Sequence, residues 1–399
     1  MEEKKVLLIT QYFPPDITAA AFRLVDMYEA LNRENFKVTV ITSLPQKAQL
    51  EEIQEDTNVF RVKLKKIKQK RKIFYIFNYL QFMIKVLYIG IFTLKKEKFD
   101  YIIVTSPPIF VGLAGIIISK IRNIVLISDI RDLWPESILV NGILKKSSVI
   151  YKIFKKMEIL LYNYSNKITC VSKEMKKYIT KQEINDEKIS VLYNGVSEKY
   201  INYHNKLFYT KSFSENSTFK IMYAGNIGIY QNLDMIIQLN QYLFNKNEKQ
   251  KYEFVLIGEG IERKSLEEKA RKLGMSNVKF LGPKTKEDVI SLLNNADALF
   301  LPLVEDKILE KTIPSKLFDY LLHNKPIITN ISGEGKEILD KLQIGIYFKA
   351  SSVENLYKAL NYLNSNYNLL ESNARENNHY VKNNYNRIKS FREFCKTLN

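Results

Sequence analysis

Residues 219–234 read FKIMYAGNIGIYQNLD, in which an apolar run meets a glycine turn and a helical pattern follows. Gly225 and Gly228 permit a tight turn from a strand into a helix. The same arrangement recurs in LIGEGIERKSL (256–266), where two glycines follow a second apolar run. Because a strand that is apolar along its whole length is buried on both faces, these segments predict a parallel sheet covered by helices.

Short apolar runs of this kind alternate with helical patterns from end to end of the chain. The first series of strand candidates comprises Val6–Thr10, Val38–Thr42, Val59–Val62, Tyr101–Thr105, Ile124–Asp129, Lys167–Val171 and Ile189–Leu192, and the second comprises Phe219–Ala224, Tyr252–Ile257, Val278–Leu281, Ala298–Leu301, Pro326–Thr329 and Ile344–Phe348. We therefore predict an α/β protein with two Rossmann-like domains, each built on a doubly wound parallel sheet.

The 399 residues suit two such domains, and a hydrophobic fraction of 46% excludes a disordered chain. The expected domains are residues 1–200 and 218–380, with a hinge in the polar stretch 193–218 and a final helix at 381–399. Two cysteines and three histidines exclude a disulfide framework and a conventional zinc site. The start, MEEKKVLLITQYFPP, lacks the architecture of a signal peptide, so we expect a cytoplasmic protein.

Positive charge is concentrated in residues 61–98, which hold 12 basic residues and one acid, Glu97. A basic run at 63–72 precedes a 22-residue apolar stretch, Ile73–Leu94, whose one charge is Lys85. This stretch suits a membrane span, a core helix, or a helix with one face on the sheet and the other on an anionic bilayer. We favour the last, because a span would divide the first sheet between two compartments. No helix-turn-helix, RNA-recognition or zinc pattern supports nucleic acid as a partner.

Ligands of parallel α/β domains bind at the carboxyl ends of the strands. Two such loops stand out in the first domain, QYFPPDITAAAFRL (11–24) and SDIRDLWPES (128–137). The first offers small residues at a helix start, and the second combines charges with the only tryptophan, as expected of a polar wall with an aromatic platform. The acceptor-binding candidates are Ala20, Ala21, Arg23, Trp134 and Glu136, and the catalytic candidates of these loops are Arg131 and Asp132.

Four loops of the second domain carry glycine turns or a basic residue after a strand. Together they predict a cradle for a nucleotide diphosphate, because amides at glycine turns and a lysine at a helix start oppose negative charge. The nucleotide-sugar-binding candidates are Gly225, Asn226, Gly228, Gly258, Gly260, Pro314, Ser315, Lys316 and Asp319.

The order of the motifs QYFPP, RDLWPES, NGV, YAGNIG, GEG, PSKLFDY and HNKPII resembles family 4 of the glycosyltransferases, which have the GT-B fold. It is most similar to the branch that builds bacterial capsule, O-antigen and exopolysaccharide. The resemblance implies two domains facing across a cleft, with a nucleotide sugar, UDP-linked, bound by the second and a lipid-linked saccharide acceptor by the first. It also implies retention of anomeric configuration without a metal or cofactor. From the basic and apolar segment at 61–98, we expect peripheral attachment to the inner face of the membrane.

By this resemblance, Asp319 takes the place of the ribose-binding carboxylate of the family. The other carboxylate of the family motif falls at Lys311, which is a departure. Its neighbour Glu310 is the expected substitute and is therefore a catalytic candidate, together with Lys316.

A second departure lies at Ile229 and Gln231, where many relatives carry an Arg and a Lys against the diphosphate. Lys316 and Arg131 are expected to replace them. These departures leave open a catalytically inactive GT-B protein that binds a nucleotide sugar or serves as a scaffold. A GT-B epimerase acting on UDP-N-acetylglucosamine is a third interpretation, but that chemistry needs histidines in strand-end motifs, which this chain lacks.

Overall fold

The computed structural model describes residues 3–16, 18–45, 58–64, 73–140, 144–206, 218–248 and 251–398. The chain forms two compact units: unit 1 contains Met1–Ser197 and Asn386–Asn399, and unit 2 contains Glu198–Tyr385. Most of the predicted basic run, residues 65–72, and part of the predicted hinge, residues 207–217, lie outside the described residues.

The strands of both units match the predicted apolar runs to within one residue at each end. Among the described residues they are β1 (Lys5–Ile9), β2 (Lys37–Ser43), β3 (Val59–Val62), β4 (Tyr101–Ser106), β5 (Val125–Ile130), β6 (Lys167–Cys170), β7 (Ile189–Val191), β8 (Phe219–Ala224), β9 (Tyr252–Ile257), β10 (Val278–Gly282), β11 (Ala298–Leu301), β12 (Ile327–Thr329) and β13 (Gly345–Tyr347). Unit 1 has the parallel order β3-β2-β1-β4-β5-β6-β7, and unit 2 has β10-β9-β8-β11-β12-β13. Both orders are Rossmann-like, so the predicted fold class is confirmed.

Several of the helices begin at a capping side chain. The described helices are α1 (Ala19–Arg33), α2 (Ile73–Tyr88), α3 (Ile109–Arg122), α4 (Glu136–Val140), α5 (Val149–Tyr164), α6 (Lys173–Thr180), α7 (Glu198–Asn205), α8 (Asp234–Asn245), α9 (Arg263–Lys272), α10 (Lys286–Asn294), α11 (Ser315–Leu321), α12 (Gly333–Leu342), α13 (Val353–Glu376), α14 (Asn378–Asn384) and α15 (Arg387–Lys396). The side chain of Ser148, for example, accepts a hydrogen bond from the amide of Tyr151 at the start of α5. Such a bond satisfies an amide that the helix itself leaves free.

Both faces of the unit 1 sheet are covered. Leu7 and Ile9 of β1 belong to the same core cluster as residues of α2, α3 and α5, whereas Val6 and Leu8 pack with α1 and α15. Because successive side chains of a strand point to opposite faces, α2, α3 and α5 share one face of the sheet and α1 and α15 the other.

The end of the chain differs from the single helix expected at 381–399. It forms α14, which belongs to unit 2, and α15, which packs on α1 in unit 1. Arg387 begins α15: its backbone N–H donates to Val196 O at 2.9 Å, and its Nη1 lies 2.9 Å from Asp26 Oδ2. The last helix therefore completes the core of the first unit.

Candidate functional site

The loops after β8 and β9 in unit 2 touch each other through their glycines. Gly225 and Gly258 have φ angles of +138° and +135°, a region that favours glycine. A Cβ on Gly258 would lie 1.9 Å from Gly225 O, and a Cβ on Gly260 would lie 2.1 Å from Ile227 O. Glycine is therefore required for the two backbones to approach this closely.

The side chain of Lys316 covers the first of these turns. A Cβ on Gly225 would lie 1.9 Å from Lys316 Cε and 2.7 Å from Nζ, and Nζ lies 5.0 Å from the centre of the Tyr223 ring. Burial lowers the pKa of Lys316 to about 8, and the nearby Asp319 carboxylate only partly opposes this. An ammonium group that is short of counter-charge beside a glycine turn suits an anionic ligand.

Helix α11 holds Lys316 in this place. It starts at Ser315, directly after Pro314, and carries Asp319 one turn further on. The amide of Ala224, at the end of β8, donates to Tyr320 Oη at 2.8 Å, which ties the helix to the strand that leads into the glycine turn. The structure thereby brings the predicted lysine and the predicted turn together.

Two of the glycine amides do not face a ligand, which corrects part of the sequence interpretation. Gly225 N donates to Ile257 O at 2.8 Å, and Gly258 N donates to Gly282 O at 2.8 Å. These hydrogen bonds join each turn to the neighbouring strand, because both glycines still follow the parallel hydrogen-bonding pattern of the sheet. Their amides are therefore used by the fold.

Two other amides bond to side chains. Gly228 N donates to Gln231 Oε1 at 3.2 Å, and Gly260 N donates to Glu259 Oε1 at 3.2 Å. The Asn226 side chain also donates to Gln231 Oε1, at 3.2 Å. Because a side chain can rotate away, a diphosphate can take over these two amides at small cost.

A pocket that is open to solvent lies at the carboxyl ends of β11 and β12. Its polar lining includes Glu305, Asp306, Glu310, Thr312, Asn330 and Ser332. A Cβ on Gly333, whose φ is +60°, would lie 2.5 Å from Glu310 O, so this glycine lets the loop after β12 pack against the Glu310 backbone. The arrangement offers carboxylate groups to a ligand that is rich in hydroxyls, whereas the Asn330 amide bonds to the backbone of Leu303.

In unit 1, Arg131 and Asp132 follow β5. Arg131 donates from its backbone N–H to Ser106 O and from Nη2 to Pro107 O, both at 2.9 Å, while its buried Nε has no hydrogen-bond partner in the described part of the chain. Burial raises the pKa of Asp132 to about 6, although a hydrogen bond with Ser137 opposes this. The pair combines an unsatisfied guanidinium N–H with a carboxyl group that titrates near neutral pH.

Gln11 and Tyr12, in the loop after β1, were not among the predicted site residues. Gln11 is 1% exposed, and its Oε1 has no partner among the described residues. The Tyr12 hydroxyl hydrogen-bonds with Tyr79 of α2, and Tyr12 lies close enough to Arg131 for the two to interact electrostatically. Both belong to the QYFPP motif, and an unsatisfied buried polar atom such as Gln11 Oε1 is a candidate ligand contact.

Arg23, predicted to bind the acceptor, is instead a structural brace. It is 1% exposed, and its Nε and Nη2 donate to the two carboxylate oxygens of Asp129 at 3.2 and 2.9 Å. Its other N–H groups donate to Leu192 O, Tyr193 O and Asn194 Oδ1. No donor of Arg23 is left for a substrate, so this prediction is corrected.

Ala21 is also part of the interior, which corrects its predicted contact with the acceptor. It is fully buried, and its amide donates to Thr18 Oγ1 at 3.1 Å. Ala20, beside it at the start of α1, is half-buried. The small residues therefore serve the packing of α1 in the first place, and contact with a ligand stays a prediction for Ala20.

Trp134 and Glu136 are both anchored on α5. Glu136 is buried, and its Oε1 accepts a hydrogen bond from Tyr151 Oη at 3.1 Å and lies 3.2 Å from Lys155 Nζ. The ring of Trp134 packs on Phe154 with the ring centres 4.7 Å apart, and the residue remains half-buried. Glu136 is thus anchored through one oxygen, whereas its buried Oε2 has no hydrogen-bond partner among the described residues. The predicted acceptor contact of Glu136 and the platform role of Trp134 both stay predictions.

Helix α2 has one buried and one exposed side. Phe82 and Val86 are fully buried against the sheet, whereas Phe77, Ile84 and Tyr88 are each more than 60% exposed. In the described part of the chain, the helical stretch from residue 76 to residue 93 is long and apolar enough to cross a membrane by length and composition, with 17% of it buried. The exposed side does not suit the core-helix interpretation.

Two family models match the chain. The model described as Glycosyltransferase Family 4 matches residues 20–200, and the model described as Glycosyl transferases group 1 matches residues 205–386. A probable glycosyltransferase of Pseudomonas aeruginosa, WbjE, is 23% identical over 223 residues, which are 54% of this chain and 54% of that protein. The chain thus spans about half the length of this curated relative.

Solved structures resemble both units together. HepE of Anabaena, in complex with UDP, has a TM-score of 0.69 and 15% identity and covers 99% of both chains. Sucrose-phosphate synthase of Thermosynechococcus elongatus has a TM-score of 0.76 and 11% identity, covering 99% of this chain and 98% of that one. At these identities the likeness concerns the fold, and it shows the two-domain GT-B fold that the motif order predicted.

Proposed function

Since the chain belongs to family 4 of the glycosyltransferases, we propose that it moves a sugar from a UDP-sugar to a lipid-linked saccharide, with retention of configuration. Unit 2 binds the donor, and the loops of unit 1 bind the acceptor. The observation that carries the proposal is Lys316, a poorly compensated ammonium group held over a glycine turn. The UDP complex of a protein with the same fold supports the choice of nucleotide.

The leaving group is the diphosphate, and negative charge develops on it as its bond to the sugar carbon breaks. Lys316 Nζ and the amides of Gly228 and Gly260 supply the donors that meet this charge. Because the nearby Asp319 carboxylate compensates the cation of Lys316 only in part, an added anion interacts favourably with it. The transfer needs no metal ion, and EDTA is expected to leave turnover unchanged.

The pocket after β11 and β12 holds the donor sugar. Glu310 accepts hydrogen bonds from sugar hydroxyls there, in place of the carboxylate that the family motif has at Lys311. Asp319, on the helix that carries Lys316, binds the ribose. The polar lining of the pocket supports this assignment, since a sugar offers several hydroxyl donors to its carboxylates.

The acceptor hydroxyl attacks the sugar carbon on the face that the diphosphate leaves, and its proton passes to a phosphate oxygen of the leaving group. Retention then requires no nucleophile from the enzyme. Arg131 and Asp132 position the acceptor, with Gln11 as a further contact. The unsatisfied Arg131 Nε and Gln11 Oε1 support this role, because a polar ligand would satisfy both.

The acceptor is membrane-bound in this proposal, and the enzyme lies on the cytoplasmic face of the membrane as part of surface polysaccharide synthesis. The exposed side of α2 supports peripheral attachment, since three large apolar side chains lie open to solvent on a helix without acidic residues. The buried side of the same helix packs on the sheet, which favours a helix lying on the bilayer over one that crosses it.

The first experiment is titration of UDP and UDP-sugars by calorimetry, followed by transfer assays on lipid-linked acceptors and assignment of the product anomer by NMR. Lys316→Met is expected to lower the turnover number about 100- to 1,000-fold, as for loss of one main donor to a developing charge. Lys264→Met is the matched control, because Lys264 is exposed near the second glycine turn and is not assigned to the site.

An active Lys316→Met variant would refute the phosphate role. Binding of UDP without transfer from any UDP-sugar would instead favour the inactive, scaffold-like protein that the departures at Ile229, Gln231 and Lys311 leave open.

A further inference from the structure

Three neighbouring helices of unit 1 expose large apolar side chains to solvent. The helices α2, α3 and α5 pack side by side on one face of the sheet. Their exposed apolar side chains include Phe77, Ile84 and Tyr88 of α2, Ile121 of α3, and Ile153 and Leu160 of α5, with exposures from 42% to 63%. Soluble proteins rarely expose apolar residues over so extended a surface unless it binds something.

The charge of these helices indicates what they bind. Together α2, α3 and α5 contain one acidic residue, Glu158, and it is 1% exposed. Lys120, Lys152 and Lys156 are exposed on the same helices. An apolar surface with exposed lysines and no exposed carboxylate matches an anionic bilayer. A second copy of this chain would place lysines against lysines, which opposes self-association through this surface.

We propose that α5 contacts lipid and that α2, α3 and α5 together form one docking face for an anionic bilayer. This rests on the membrane attachment proposed above, which is argued from α2 alone. Ile153, Lys156 and Leu160 lie three and four residues apart and therefore on one side of α5. The aliphatic side chains enter the boundary between headgroups and acyl chains, while the lysine reaches lipid phosphates.

The inner side of the docking face carries the acceptor loop. On α5, Phe154 packs against Trp134, and Tyr151 and Lys155 contact Glu136. On α2, Tyr79 hydrogen-bonds with Tyr12, which interacts with Arg131. The two helices that contact lipid thus also anchor the residues that follow β5. A lipid-linked acceptor therefore reaches this loop while its lipid stays in the bilayer.

The test is co-sedimentation of the full chain with phosphatidylglycerol/phosphatidylcholine vesicles and with phosphatidylcholine vesicles. Ile153→Ser/Leu160→Ser in α5 is expected to lower partitioning onto the anionic vesicles roughly tenfold, from the loss of two half-exposed aliphatic side chains. The matched control is Tyr362→Ser/Leu369→Ser on α13 of unit 2, where the two side chains are 53% and 60% exposed. This control is expected to partition like the wild type.

A second pair, Phe77→Ser/Ile84→Ser, separates this inference from the proposed function. If the α2 pair releases the protein from vesicles and the α5 pair does not, the role of α5 is overturned while membrane attachment stands. If neither pair matters, both proposals of lipid contact fail.

A variant that lacks two of the exposed lysines tests the charge of the docking face. Lys152→Gln/Lys156→Gln is expected to weaken binding to the anionic vesicles only, since each lysine near the surface adds attraction to anionic lipid.

Light scattering after size exclusion tests whether a second copy of the chain covers the face instead. A wild-type dimer that the α5 pair converts to monomer would make the face a protein interface and overturn the lipid assignment. Unchanged circular dichroism and melting temperature confirm that the variants fold.

Discussion

Two basic side chains, the buried Arg23 in unit 1 and the half-buried Lys316 in unit 2, are compensated in opposite ways. Arg23 makes five hydrogen bonds, two of them to the Asp129 carboxylate. Lys316 has only partial help from Asp319, and burial lowers its pKa to about 8. A buried charge that is fully paired stabilises one fixed structure, whereas one that lacks counter-charge is ready for an anionic ligand. Whether the charge is compensated, rather than whether the residue lies in a motif, therefore distinguishes the structural residue Arg23 from the candidate ligand-binding residue Lys316.

The largest effect is expected from substitution of Arg23. Arg23→Met is expected to lower the free energy of unfolding by about 3–5 kcal/mol, because Asp129 would remain buried without its counter-charge. Urea unfolding followed by circular dichroism measures the loss. Lys316→Met should change the same quantity by less than about 1 kcal/mol, since it removes a charge that the fold compensates poorly.

A rescue variant distinguishes charge from packing. Arg23→Met/Asp129→Asn removes both charges, and it should recover much of the stability that Arg23→Met loses. Equal instability of the single and double variants would show that Arg23 acts through packing, and the contrast with Lys316 would lose its basis.

The second prediction concerns the proton of Lys316. Below pH 7 this lysine is charged with or without ligand, so UDP affinity should not depend on its titration there. Above the pKa of about 8 that Lys316 has without ligand, binding of UDP is coupled to the uptake of a proton from the buffer. The affinity for UDP therefore falls as pH rises. We expect about tenfold weaker binding at pH 9 than at pH 7, measured by calorimetry, with proton uptake visible as a dependence on the ionisation enthalpy of the buffer.

The Lys316→Met variant is the control for this prediction, because it should bind UDP weakly and with the same affinity at both pH values. A wild-type affinity that is flat from pH 7 to pH 9 would mean that the lysine is not short of counter-charge, and the contrast with Arg23 would fail.

The fold could be predicted because its information is local. Each strand is a short apolar run, and the turn or cap that follows can be read within a few residues, such as Ser172 between β6 and α6. The final helices show the limit. Arg387 pairs with Asp26, 361 residues away, and no local pattern indicates that α15 returns to unit 1.

The site residues also differ in whether their roles depend on local sequence or on distant partners. Gly225 could be chosen from sequence because it lies directly after a strand, and Lys316 because it lies in the first turn of the helix that follows Pro314. The bond of the Gly225 amide to the sheet could not be predicted, because it depends on a neighbouring strand. Arg23 and Glu136 could not be assigned from sequence. Their partners lie up to 171 residues away, so a charge in a loop motif looks the same in the sequence whether it faces a ligand or an interior partner.

The smallest effect is expected at a buried acidic residue, Glu158, which tests whether a shortage of counter-charge also matters for a carboxylate. Lys155 is shared by Glu136 and Glu158, at 3.2 and 2.5 Å, so two carboxylates compete for one cation. Burial, and next the charge of Glu136, raises the pKa of Glu158 to about 7. The folded state then holds a proton that the unfolded chain releases near pH 4.5, so stability falls as pH rises from about 4.5 to about 7.

Glu158→Gln should remove this fall. The oxygen that accepts from Tyr162 is kept, and Lys155 retains Glu136 as its partner. Between pH 5 and pH 8 the variant should gain about 1 kcal/mol relative to the wild type in urea unfolding. This is well below the roughly 3 kcal/mol that the full shift would give at 1.4 kcal/mol per pKa unit, because Glu136 and Lys155 readjust. Glu174→Gln, at a carboxylate that pairs with Lys177 on the surface, is the control and should gain nothing. If both variants follow the wild-type pH dependence, Glu158 is fully paired like Arg23, and a shortage of counter-charge would distinguish Lys316 alone.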